Sequence, residues 1–83
     1  MEELKHVLAR IFREYRKRSG YSQWKLSIIA KIHPRSIQKI ERGELQPGVM
    51  LIVRLVCAMG SNVGFFFADL AKEAGLIRQE IMP

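Results

Sequence analysis

At 83 residues the chain has the length of one domain, and 48% apolar residues give it material for a modest core, which excludes a disordered polymer. Its net charge of +6 is uneven: residues 1–43 hold eleven Lys/Arg against four Asp/Glu, and residues 44–83 hold three against four. A cationic first half calls for an anionic partner, while the lone cysteine, Cys57, rules out an internal disulfide and, with His6 and His33 far apart in sequence, supplies poor material for a zinc site.

The first predicted element is a helix over residues 3–19. Leu4, Val7, Leu8, Ile11, Phe12 and Tyr15 recur every three or four positions and make one apolar stripe. Glu2 and Glu3 sit at its positive end and Arg16, Lys17 and Arg18 at its negative end, as the helix dipole favours. Gly20 ends it. Arg10, Arg13 and Lys17 lie off the stripe, on a solvated face or against an anionic partner.

A short helix follows over residues 22–29, started by Ser22, whose hydroxyl can accept from a free amide in the first turn. Leu26, Ile29 and Ala30 form its apolar edge. Lys31, Ile32 and His33 break the pattern, and Pro34 then suits a first helical position, where no amide is needed. The third helix is predicted over residues 34–42, with Ile37 and Ile40 inward and Gly43 as its stop. Its outer face is made of Arg35, Gln38, Lys39 and Arg42, all long hydrogen-bond donors. Arginine and glutamine can make paired bonds to guanine and adenine edges, and lysine and arginine neutralise phosphates. Two helices, a tight turn and a basic second helix describe a helix-turn-helix.

The run from Ser22-Gln23 through Leu26, Ser27, Ile32, Ser36 and Ile37 to Ile40-Glu41-Arg42-Gly43, followed by Pro47, resembles the helix-turn-helix of the phage repressor and Cro family, also called the Xre family. The likeness extends from about Leu4 to Leu70. It implies an all-α, five-helix repressor-like domain over residues 1–75, with residues 76–83 as a C-terminal tail. It also implies a structural ion pair between Arg16 and Glu41, a phosphate contact from Gln23, base contacts at Pro34, Arg35, Gln38 and Lys39, and a base or phosphate contact at Ser36. Arg42 completes the DNA-binding set. Pro34 has no amide and reads no base by hydrogen bonding, so specificity shifts toward Arg35. His33 stands where relatives cap with Ser or Thr, and Ser27 where they usually have alanine. Glu44 stands where they often carry lysine; the backbone amides of that loop remain as candidate phosphate ligands. Trp24 and Ile28 stand where relatives carry charge. Either they fold back onto a neighbouring helix, or they contact another protein or a DNA sugar edge.

The fourth helix is predicted over residues 48–59, with Val49, Ile52, Leu55, Val56 and Met59 inward and Cys57 a small buried apolar residue. Met50, Leu51, Val53 and Ala58 leave Arg54 as its only charge, and a helix apolar nearly all round needs cover on a second side. The fifth helix, about residues 63–72, is capped by Asn62 and puts Val63, Phe66, Phe67 and Leu70 in the core. Three consecutive phenylalanines cannot all point inward, because neighbours on a helix diverge by about 100°. Phe65 is therefore surplus. Met50, Leu51, Arg54, Cys57 and Phe65 are the expected homodimer interface, unless the tail (Leu76, Ile77 and Ile81) docks there instead.

The function this implies is a sequence-specific regulator of double-stranded DNA, a repressor acting as a homodimer, with helix 34–42 in the major groove. The alternative is an antitoxin that grips a toxin protein and autoregulates through the same motif. No carboxylate pair, nucleophile–base constellation or phosphate-binding glycine loop points to an enzyme or a cofactor. No signal peptide or membrane span is legible: the apolar run of residues 49–59 is short and carries Arg54. The expected location is the cytoplasm.

Overall fold

The computed structural model describes residues 3–76, and these form five helices with no strand among the described residues. They are α1 (Leu4–Ser19), α2 (Gln23–Ala30), α3 (Pro34–Glu41), α4 (Val49–Ala58) and α5 (Val63–Glu73). The ends of the elements follow local chemistry. Glu3 is the residue before α1 and makes no side-chain cap. The Gly20 amide closes α1 by donating to the Arg16 and Lys17 carbonyls. Ser22 Oγ accepts from the Lys25 amide at 3.0 Å, and Asn62 Oδ1 accepts from the Phe65 amide at 2.9 Å. Each cap satisfies a donor that a helix start leaves open.

The core lies between α1 and the other four helices. Val7, Leu8, Ile11, Phe12 and Tyr15 supply it from α1, Leu26 and Ala30 from α2, and Ile37 and Ile40 from α3. From the second half come Ile52, Leu55, Val56 and Met59, and Phe66 alone from α5. Helix α1 packs against α3 and α5, α2 against α3 and α4, and α4 against α5. Tyr15 joins the two halves. Its ring meets Phe66 edge-on at 5.0 Å, its hydroxyl donates to Asp69, and the Arg18 guanidinium lies 4.9 Å over its other face. Burial, and then the Asp69 carboxylate, push the Tyr15 phenol up to about 12.

Two expectations about α4 fail. Val49 is 63% exposed rather than inward, and Cys57 is exposed rather than buried. The inward stripe starts at Ile52, because Val49 opens the helix at a point where α1 and α5 leave one of its flanks uncovered. It lies at the mouth of an apolar groove with Leu4, Leu8, Phe67 and Leu70. Cys57 is adjacent to the buried Val56 and turned to the outer side. Ile29, at 39% exposed, also lies farther out than its periodicity implies. Leu76 is 69% exposed, and Ile77 and Ile81 lie outside the described residues.

Candidate nucleic-acid interface

Helix α3 has two faces of opposite chemistry. Ile37 and Ile40 are fully buried and Glu41 is 4% exposed, which fixes the inner face. Arg35, Lys39 and Arg42 are exposed on the outer face, while Pro34, Ser36 and Gln38 are half-buried between them. Helical spacing puts Arg35, Gln38, Lys39 and Arg42 on one face of α3, with Pro34 and Ser36 at its two margins. His33, Arg35, Ser36 and Lys39 border a shallow open depression at its start.

The start of α3 is better made than its sequence suggests. His33 Nδ1 accepts from the Arg35 amide at 3.1 Å, so the imidazole supplies the cap that a hydroxyl usually would. The turn before it holds the one non-glycine residue with positive φ among the described residues: Lys31 has φ 57° and ψ 48°, and its amide donates to the Ile28 and Ser27 carbonyls. A left-handed residue with a Cβ costs about 1 kcal/mol. At the other end Gly43 takes φ 73° without that cost, and a Cβ there would come within 2.5 Å of the His6 ring.

A buried polar joint sets the angle of α3. Arg16 Nε donates to Glu41 Oε2 at 2.5 Å and Nη2 donates to Oε1 at 2.9 Å. The remaining Arg16 nitrogen donates to the Tyr21 carbonyl at 2.8 Å. Gln23 Nε2 donates to Glu41 Oε1 at 3.0 Å. One carboxylate therefore ties α1, α2 and α3 together, and no buried side-chain polar atom among the described residues lacks a partner. Ser27, 5% exposed, donates to the Trp24 carbonyl, which keeps its hydroxyl from being stranded between α2 and α3.

Gln23 is accordingly half-buried and engaged with Glu41, and only one of its amide hydrogens remains for an outside acceptor. The loop after α3 departs further from expectation. The amides of Gly43, Glu44 and Leu45 already donate to the carbonyls of Ile40 and Lys39, so they are not available to bind phosphate. Sequence reasoning put Arg13 on a solvated face or against an anionic partner and missed its tie to α3, where its Nη1 donates to the Glu41 carbonyl at 3.2 Å. Only its helical position, one turn before Arg16 and close to it in angle, pointed that way.

The other sequence-derived residues lie apart from α3. Trp24 and Ile28 are 65% and 50% exposed, one turn apart on α2, and do not fold back onto a neighbouring helix. On α4, Met50 is 77% exposed, Arg54 and Cys57 are exposed, and Leu51 is half-buried; Phe65 on α5 is 70% exposed. No helix among the described residues is long and apolar enough to cross a membrane.

Residues 12–66 match the model of the Helix-turn-helix family, and the chain belongs to that family, of the Xre type, whose members are DNA-binding transcriptional regulators. The fold is similar to that of the clp gene regulator ClgR from Corynebacterium glutamicum, at 21% identity over 90% of this chain and 80% of that chain, with a TM-score of 0.80. It is equally similar to the wild-type restriction-modification controller protein C.Esp1396I, at 19% identity over 89% of this chain and 97% of that one, with a TM-score of 0.80. Identities this low speak for the fold alone. No curated protein sequence matches the chain significantly.

Proposed function

We propose that the protein is a sequence-specific repressor that binds double-stranded DNA as a homodimer, with α3 in the major groove and α2 crossing the backbone. The observation that carries this reading is the division of α3. Its outer face offers Arg35, Gln38, Lys39 and Arg42, while its inner face is held by Ile37, Ile40 and the Arg16–Glu41 pair. Arg35 supplies the principal base contact, Gln38, Lys39 and Ser36 supplement it, and Pro34 packs at the groove edge. Gln23 donates its remaining amide hydrogen to a phosphate. Two copies related by a two-fold axis read half-sites about one helical turn apart. Their contact is the apolar face of Met50, Leu51, Arg54, Cys57 and Phe65, which a single chain leaves open to water. The similar structures belong to a gene regulator and a controller protein, which agrees with a regulatory role. Such a protein works in the cytoplasm.

Selection of bound sites from a random duplex library, at two salt concentrations, tests the reading. A two-fold symmetric motif is expected, and Arg35→Ala should lose preference at one base pair per half-site, worth about 1–3 kcal/mol. A protein that binds operator and scrambled duplex equally would sink it. A second reading, an antitoxin that grips a toxin, rests on the exposed Trp24 and Ile28. It predicts a small toxin encoded beside the gene and a complex that Trp24→Ala weakens.

A further inference from the structure

We propose that the concavity between α1 and the end of α3 is a phosphate site, through which the protein grips DNA backbone beyond the stretch that α3 reads. It rests on the DNA-binding reading above and brings α1 into the contact surface. The concavity holds about 490 Å³, and Arg10, Arg13, Arg42, His6 and Glu44 line it. Arg10 and Arg13 lie one turn apart on α1, and Arg42 caps the end of α3. Three arginines from two elements thus border one concavity, and planar guanidinium donors suit a phosphate oxyanion.

Neither the Arg10 nor the Arg13 side chain is buried. Arg13 gives one nitrogen to the Glu41 carbonyl and keeps its other donors. Arg10 lies 3.7 Å from Glu73 with both side chains well exposed, an ion pair that solvent screens and a phosphate can replace. The acidic groups nearby do not cancel this charge. Glu41 is neutralised from within by Arg16, which leaves Glu44 as the acid on the rim.

The loop supplies a further reason. Its first amides, those of Glu44 and Leu45, are spent on the Lys39 carbonyl, and its side chain at position 44 is an acid. Backbone phosphate passing this end of α3 therefore has to be met by side chains, and the cations that face this space come from α1 and Arg42. Arg42 follows Gln38 by one turn on the outer face of α3, so the concavity continues the reading surface rather than opening elsewhere.

The test is a salt series of operator affinity with the full chain. Arg10→Gln and Arg13→Gln should each flatten the slope of log affinity against log salt by about 1, with base preferences unchanged. Glu44→Lys should steepen it by about 1. Urea denaturation checks that the variants fold, and unchanged base preferences show that the recognition helix is not loosened. Trimming the duplex outside the half-sites should abolish the difference between wild type and the arginine variants. Inorganic phosphate, titrated at fixed ionic strength and followed by arginine side-chain resonances, forms the other arm. Saturation by phosphate with unchanged DNA slopes would assign the site to a free oxyanion and overturn the DNA assignment. Equal slopes in all folded variants, without phosphate saturation, would overturn the site altogether. Wild type that shows no preference for any duplex marks failure of the functional reading instead.

Discussion

The two halves of this molecule solve the problem of burial differently. From α1 to α3, a polar joint lies inside the fold and no buried side-chain polar atom in it lacks a partner. From α4 to α5, the inward residues are purely apolar, α5 contributes one fully buried side chain, and Met50 and Phe65 face water. The first half is thus complete in one chain and holds a cationic face at a set angle. The second half leaves Met50 and Phe65 largely in solvent, the feature on which the proposed homodimer contact rests. The difference separates a rigid, polar-jointed part of this small domain from a part whose apolar side chains are less fully covered.

The joint offers the sharpest way to break the contrast. Glu41→Ala would leave the Arg16 guanidinium buried without its carboxylate, at a cost of about 3 kcal/mol in urea denaturation. A loss under about 1 kcal/mol would mean that water reaches the pair and that the angle of α3 is set by packing alone. In the second half, Phe65→Ala should leave folding stability of the monomer nearly unchanged and weaken self-association by about 2 kcal/mol, read by sedimentation equilibrium. Equal destabilisation of the monomer would place Phe65 in the fold and not at a contact.

Smaller effects concern the seams. Tyr15→Phe removes the hydroxyl that links α1 to α5 and should cost about 1 kcal/mol. The same residue gives a pH signature. Its folded value of about 12 stands above the ordinary 10.0, so its contribution is fully present below pH 10 and is lost as pH rises toward 12. Tyr15→Phe should remove that part of the alkaline loss in thermal melts. The smallest change expected is a gain: Lys31→Gly relieves the left-handed strain and should add about 0.5–1 kcal/mol. No gain would mean that flexibility added to the unfolded chain offsets the relief.

What the sequence disclosed depended on how local its cause is. Ser22 and Asn62 announced helix starts because a cap acts over three residues, and Gly20 announced an end for the same reason. The apolar stripe of α1 gave its inner face directly except at Leu4, which is 40% exposed at the first turn. In α4 the nearly continuous apolar run carries no phase, so nothing in it told Val49 from Ile52 or turned Cys57 outward. Lys31 carries no mark of its left-handed backbone, which usually calls for glycine. The Tyr15–Asp69 bond joins residues 54 apart and leaves no pattern in either neighbourhood. Arg35, Gln38, Lys39 and Arg42 were legible as a face because helical spacing alone groups them. The pairing of Arg16 with Glu41 came from family likeness, since 25 residues separate them.

On α3 the residues that secure the scaffold and those that face outward alternate along a single short helix without sharing a side. Exchanging Arg35 or Gln38 for another polar residue alters what is offered to a duplex and leaves Ile37, Ile40 and Glu41 in place. On the proposed reading, descendants of this chain could therefore drift to new target sites one substitution at a time, each intermediate still folded, so long as the carboxylate at position 41 is kept.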